Sequence, residues 1–194
     1  ARANHVSVVT GDTKVVDRGK ADRLFINTTG LGIRRANVRI GPDKARIGDK
    51  ILVSGPVGRH GMCIMAEREG IGFESPIVSD SAALWPVVKL LLDGVGDAVH
   101  AMRDPTRGGL ASALNEIAAS SQVGVVLEDG VVPVPGPVAA ACEMLGLDPM
   151  YVANEGVFTA FVAPDRAEEA LAIVRSHPLG AGAALVGTAT AEHR

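Results

Sequence analysis

The chain has 194 residues, 47% of them hydrophobic and 21% charged, with a formal net charge of -3. That balance describes a globular protein long enough for one substantial domain, or one domain and part of another. It gives no electrostatic reason to expect nucleic acid, and no apolar run approaches the length needed to span a bilayer.

With only 3% aromatic residues, the core has to be built from Val, Leu, Ile and Ala. No signal peptide is read at the start of the sequence. Cys63 and Cys142 lie far apart without metal-ligand spacing, which predicts two buried reduced thiols and a cytoplasmic setting.

In chain order, residues 5–9 predict a strand, followed by the Gly11-Asp12 turn and a second extended run at 13–16. Residues 24–28 predict another strand, ending at Thr29-Gly30-Leu31-Gly32. A polar, irregular stretch from 33 to 48 carries the turn Gly41-Pro42-Asp43. A domain boundary is placed near Arg46, making 1–45 the remainder of a strand-rich domain and 46–194 a second, α/β domain. Three strands without helices are too few to bury a core of their own.

From Asp49 the rhythm changes to alternating strands and helices. Residues 50–54 predict a strand broken by Gly55-Pro56, and 61–68 a helix with Met62, Met65 and Ala66 on one face. Pro86 is tolerated only in a first helical turn, so a helix is expected over 86–92. A short extended run at 98–102 feeds the Asp104 motif. The helix after it places Leu110, Leu114 and Ile117 on one buried stripe. A strand at 124–127, a helix at 137–145, a strand at 157–163, a helix at 165–176 with Ala167, Leu171 and Val174 inward, and a strand at 184–189 complete the series. The pattern predicts an α/β (α+β) layer fold, helices packed on a mixed sheet.

Three polar clusters stand out from these apolar surroundings. In Asp104-Pro105-Thr106-Arg107-Gly108-Gly109, Asp104 can cap a helix and Pro105 fits its first position. Two adjacent glycines early in a helix cost about 1 kcal/mol each against alanine, which makes sense if a ligand or another backbone approaches closely. Free N–H groups, the helix dipole and Arg107 would favour an anion there; the alternative is a tight strand-to-helix turn. Gly11-Asp12-Thr13-Lys14 offers a carboxylate and a hydroxyl suited to Mg2+ and a lysine able to meet a phosphate, or equally a solvated hairpin. Asn154-Glu155-Gly156 precedes a hydrophobic strand and reads either as a turn with Asn or Gly at positive φ, or as a general base, Glu155, beside a glycine that leaves room for substrate. Ser79-Asp80-Ser81 reads as a cap for the helix near Leu84 or as a ligand contact, with capping favoured. His5, His60 and His100 lack partners at ligand spacing and are read as structural or exposed.

Taken together, Gly11-Asp12-Thr13-Lys14-Val15-Val16, Asn27-Thr28-Thr29-Gly30, Arg103-Asp104-Pro105-Thr106-Arg107-Gly108-Gly109 and Asn154-Glu155-Gly156 resemble the HypE family of hydrogenase maturation factors, in order along essentially the whole chain. The Asp-Pro-Thr-Arg-Gly-Gly element is the most specific, since relatives in the wider aminoimidazole ribonucleotide synthetase-like superfamily carry another version. The resemblance implies two α/β domains, the first pairing its sheet into a barrel with a second subunit of a homodimer. It implies ATP-dependent dehydration of a carbamoyl group, loaded by a carbamoyltransferase partner onto a C-terminal cysteine, to a thiocyanate. The cyanide then passes to the iron of a nickel–iron hydrogenase through iron-site scaffold proteins.

The same resemblance implies ATP and Mg2+ as cofactors. Asp12 and Thr13 would hold the nucleotide, with Asp12 also at the metal, and Lys14 and Glu155 would be the catalytic pair. Asp104, Thr106, Arg107, Gly108, Gly109 and Asn154 would shape the pocket for the C-terminal tail, and the site would form at an interdomain cleft. The sequence departs from the family in ending at Glu192-His193-Arg194 without the terminal cysteine and in starting midway through the first domain. A truncated product with little or no activity, from an enzymatic parent, is therefore expected. The alternatives are another ATP-using member of the superfamily, such as a ribonucleotide or selenophosphate synthetase, and a non-catalytic binding module for maturation partners.

Overall fold

A computed structural model describes residues 6–20, 24–36, 38–72 and 76–192. The chain forms two compact units, 1–36 and 37–194.

The second unit is organised by a five-stranded sheet. Its strands, in chain order, are β1 (Lys50–Val53), β2 (Val99–Arg103), β3 (Gly124–Leu127), β4 (Thr159–Val162) and β5 (Ala184–Thr190). They are arranged β2-β4-β1-β5-β3. Every hydrogen-bonded pair is antiparallel, so the layered α/β fold is as expected while the sheet is antiparallel throughout rather than mixed.

Strand β1 is apolar from Ile51 to Val53 because both of its faces are covered there. Ile51 and Val53 point to one side, where they meet Leu110, Leu114 and Ile117 of helix α3 (Gly109–Ser121). Leu52, between them, points to the other side and meets α2 (Trp85–Val95) and α5 (Ala167–Arg175) through Val87, Leu91, Leu171 and Val174. The alternation follows from the two-residue period of a strand. The helix stripe and the inward face expected of α5 are both buried. A third, smaller cluster packs α1 (Arg59–Glu69) on α4 (Gly136–Leu145), with Met62, Val138, Ala141 and Cys142 at its centre.

The strands and helices of this unit fall within a few residues of expectation, with one exception that matters for the site. Helix α3 starts at Gly109, behind Gly108 at φ 75°, and no side chain caps it. Asp104 is therefore not an N-cap and Pro105 is not a first helical residue. The chain spends 104–108 in a turn, where the Thr106 N–H donates to the Asp104 carbonyl and the Gly109 N–H to the Thr106 carbonyl, each at 3.0 Å. Ser79-Asp80-Ser81 does not cap α2 either: the residue before that helix is Leu84, and no side chain accepts from its first turn.

The irregular stretch 38–48 is laced onto the second unit. Ala45 N–H donates to Ser121 Oγ at 3.0 Å, and the Ser121 hydroxyl donates to the Pro42 carbonyl at 2.8 Å. Asp49 receives the Arg46 N–H at 2.8 Å and lies 2.9 Å from the Nδ1 of His100, both side chains being buried. His100 sits where the β2–β4 register shifts, which turns its ring toward Asp49.

In the first unit the sequence expectation is corrected. Among its described residues no strand is formed at 6–9, 13–16 or 24–28. Val8, Val15 and Ile26 are 80%, 88% and 77% exposed. Alternating β-branched residues favour a half-buried pleated surface, and without a laddered neighbour that preference produces no strand. His5 lies outside the described residues.

Candidate functional site

The site in the second unit is assembled from three loops at one end of the sheet, and one side chain holds them together. Asn154 is fully buried. Its Oδ1 accepts the Gly58 N–H at 2.7 Å, and its Nδ2 donates to the Pro105 and Val152 carbonyls at 3.0 Å each. Its backbone N–H also donates to Pro105, at 3.1 Å. The loop before α1, the turn before α3 and the segment before β4 are thus pinned to a single amide.

The two glycines of the Asp104 motif are explained by a backbone neighbour. Gly108 and Gly109 have φ of 75° and 63°, a region that residues with a Cβ rarely occupy. A Cβ on Gly109 would lie against the Met150 carbonyl oxygen, 2.7 Å from the Tyr151 carbonyl carbon and 2.8 Å from the Val152 oxygen. The pair therefore serves the close approach of residues 150–152 and aims Arg107 outward from the turn. Arg103, at the end of β2, is held by Glu116 of α3 at 2.5 Å and lies 3.8 Å from Asp104. Asp104 and Arg107 are exposed and Thr106 is half-buried.

Glu155, next to the pin, is exposed, and its backbone N–H donates to Asp80 Oδ1 at 3.1 Å. Neither Asn154 nor Gly156 has a positive φ, so the turn expected on that basis is not what Gly156 provides. A Cβ on Gly156 would collide with the Asp80 carbonyl oxygen, so the glycine admits the neighbouring 76–81 segment. That segment is tied in turn to the start of α1: His60 Nδ1 lies 2.9 Å from Ser79 Oγ, and Arg59 Nε donates to the Val78 carbonyl at 3.2 Å.

Between these elements lies an open cavity of about 430 Å³. Its walls include His60, Met65 and Arg68 of α1, together with Arg107 and Glu155. Arg107 and Glu155, 48 positions apart in the sequence, thus face one space with both signs of charge available to a polar ligand. His60, expected to be structural or exposed, and Asp80, expected chiefly as a helix cap, are both engaged across the loops. Their signal is the polar run Ser79-Asp80-Ser81 between apolar segments and His60 directly after Gly58-Arg59.

Asp12, Thr13 and Lys14 belong to the first unit and are exposed. Asp12 Oδ1 accepts the Thr13 N–H at 2.8 Å. Of the cysteines, Cys142 is buried and free, and Cys63 is half-buried and free. Burial, and secondarily the charge of Asp148, pushes the Cys142 thiol above its ordinary pKa of 9.0, which marks it as a packing residue rather than a nucleophile. Among the described residues no cluster of three His, Cys, Asp or Glu side chains gathers to hold a metal ion. No helix among them is long and apolar enough to cross a membrane.

An antiparallel sheet covered by helices on both faces, with a cavity at one end that carries charged residues on a largely apolar wall, defines the class. The chain belongs to the AIR synthase related protein family, matching its C-terminal domain over residues 46–194.

Within that class it is similar to a particular maturation protein. It is 52% identical over 192 residues to the carbamoyl dehydratase HypE of Bradyrhizobium diazoefficiens, covering 99% of this chain and 56% of the relative. The crystal structure of Escherichia coli HypE superimposes with a TM-score of 0.93 at 43% identity, over 97% of this chain and 58% of that one. A HypE solved in complex with ATP gives 0.75 at 47% identity, over 78% and 45% of the two chains. A HypE–HypF complex gives 0.77 at 40%, over 79% and 50%. The chain spans about half the length of the curated relatives it matches.

Proposed function

We infer that this chain is part of an ATP-dependent carbamoyl dehydratase that converts a thiocarbamate on its own C-terminal cysteine into a thiocyanate, for the cyanide ligands of a nickel–iron hydrogenase. The single observation that carries this reading is the shared cavity of Arg107 and Glu155. Arg107 of the most specific motif of the HypE resemblance and Glu155 of another motif line one space. The partners on this reading are a HypF-type carbamoyltransferase, which loads the cysteine, and the iron-site scaffold proteins, which receive the cyanide. The active protein is a homodimer, and residues 1–45 belong to its nucleotide-binding and dimerisation domain.

A carboxamide oxygen is a poor leaving group, and removing it as water requires two N–H protons to be taken while the C–O bond breaks. ATP with Mg2+ supplies, when bound, the phosphoryl group that turns this oxygen into a phosphate leaving group. The donors of the first unit fit that pair. Asp12 keeps its carboxylate exposed, with Oδ1 accepting the adjacent Thr13 N–H. Mg2+ is commonly held by one or two carboxylates plus phosphate oxygens. Asp12 and Thr13 would hold the metal and the nucleotide.

The remaining work falls to side chains. Of the two N–H protons, one is released to solvent as the nitrogen lone pair forms the second C–N bond. Glu155 takes the other, and the electron pair of that N–H bond forms the third C–N bond as the oxygen departs with the phosphoryl group. Lys14, the other member of the catalytic pair, offsets negative charge near the amide. Arg107, with Asp104, Thr106 and Asn154 behind it, orients the tail, while Gly108 and Gly109 keep the turn close to residues 150–152. The products are a thiocyanate, ADP and phosphate.

The test uses the full-length parent with a carbamoylated terminal cysteine, ATP and Mg2+. Mass spectrometry of the C-terminal peptide is expected to show the loss of one water mass, dependent on ATP and absent in Lys14→Ala. An unchanged carbamoyl peptide in the parent would overturn the dehydratase reading. Isothermal titration of the parent with ATP and Mg2+ is expected to show binding; a parent that binds its partners but no nucleotide would instead be a binding module.

A further inference from the structure

Ser79-Asp80-Ser81 has no capping role, yet it is built into the wall behind Glu155. We propose that Asp80 is a positioning residue for Glu155: its carboxylate holds the Glu155 backbone and so sets where that side chain enters the cavity. This inference rests on the dehydratase reading above.

Three observations support it. Asp80 Oδ1 accepts the Glu155 N–H at 3.1 Å, a contact across 75 positions of sequence. The Asp80 carbonyl oxygen occupies the space that a side chain on residue 156 would fill, so Gly156 is matched to the strap on the other side of Glu155. The strap is itself anchored to the start of α1, which also lines the cavity. Ser79 Oγ lies 2.9 Å from both His60 Nδ1 and Ser81 Oγ and accepts the Ser81 N–H at 3.1 Å, while the Val78 carbonyl receives Arg59. His60 and Glu155 therefore line one cavity and are also connected through 78–81.

The chemistry of Asp80 points the same way. Its Oδ2 is buried without a hydrogen-bond partner among the described residues. An unpaired buried carboxylate oxygen is costly, and a residue serving only the local turn would be better as serine or asparagine. What the carboxylate secures is the Glu155 amide, fixed from beneath while its side chain stays exposed. A general base works only within hydrogen-bond reach of its proton, so the position of this backbone bears on rate rather than on nucleotide affinity.

The experiment compares Asp80→Ala, Asp80→Asn and Glu155→Gln in the full-length parent, measuring kcat and the KM for ATP. Asp80→Ala is expected to lower kcat by about 100-fold, as misplacement of a reacting group by about 1 Å does, with the KM for ATP unchanged. Asp80→Asn keeps an amide oxygen to accept the Glu155 N–H and is expected to restore most of the rate. A parental kcat in Asp80→Ala, or an equal loss in Asp80→Asn, would overturn the inference. Should Asp80→Ala not accumulate as folded protein, Asp80→Ser, whose hydroxyl is too short to reach the amide, takes its place with the same two outcomes. Glu155→Gln separates the two levels: if it retains full activity the dehydratase assignment of Glu155 fails, whereas if it is inactive and Asp80→Ala is not, only the positioning role fails.

Discussion

Asn154 Oδ1 lies 2.7 Å from the Gly58 nitrogen, across 96 positions of sequence, while the same amide group donates to Pro105 and Val152. One buried side chain thereby fixes the relative position of the three loops that carry His60, Arg107 and Glu155. Asn154→Ala leaves one donor and two acceptors without this partner, and is expected to destabilise the chain by about 3 kcal/mol. Asn154→Asp should be no better, because a carboxylate cannot donate to two carbonyls. Urea unfolding monitored by circular dichroism checks both; parental stability in either would remove Asn154 as the pin.

Gly109 provides a second test of the same corner. Gly109→Ala combines a φ of 63° with a collision against the backbone of 150–152, so it is expected to cost about 2 kcal/mol or more. Gly72→Ala is the matched control: its φ is not positive, and a Cβ there meets nothing within 4 Å. The control should be neutral or slightly stabilising. Equal thermal stability of the two variants would contradict the close-approach explanation.

The buried Asp49–His100 contact binds the 38–48 stretch to the sheet. Asp49→Ala strands the Arg46 N–H and the His100 ring, and a loss of about 2 to 3 kcal/mol is expected. Hydrogen exchange should show faster exchange at the Gly41 and Arg46 amides in this variant. Unaltered protection there would show that the stretch is held by other contacts.

Cys142 makes stability depend on alkaline pH. Its folded-state pKa is raised by burial and by Asp148, so the native state holds the proton more tightly than the unfolded chain. The contribution is fully present below the ordinary value of 9.0 and is lost as pH rises through the folded-state pKa. Cys142→Ala should lose this alkaline component while also carrying a small cavity cost at neutral pH. In thiol labelling of the native chain, half-buried Cys63 should react before Cys142; the reverse order would contradict the packing.

Arg107→Ala in the full-length parent is expected to raise the KM for the carbamoylated tail about tenfold, the scale of a lost charge-assisted hydrogen bond. Steady-state kinetics with a tail peptide supplied in trans checks this. An unchanged KM would remove Arg107 from tail binding.

The second unit was legible from its sequence because its periodicities are strong. Leu110, Leu114 and Ile117 on one stripe, and the apolar run of β1, leave little choice of element or of buried face. The start of α3 was not, because Asp104-Pro105 is as good a helix opening as a turn; residues 150–152 decide it by approaching Gly109 from more than 40 positions away. Asn154 was legible as important but not as the pin, since its three partners are distant or backbone groups. The strands expected in the first unit failed for a related reason: Val8, Val15 and Ile26 carry the preference, but pairing belongs to neighbours, not to the segment itself.

The central claim is that the cavity shared by Arg107 and Glu155 is where the amide loses its protons. The most direct measurement is a single turnover of the carbamoylated full-length parent with ATP, followed by the mass of its C-terminal peptide, against Glu155→Gln. The account predicts conversion to the dehydrated peptide in the parent and retention of the carbamoyl group in the variant, with ATP still bound. Dehydration by Glu155→Gln at the parental rate would contradict it.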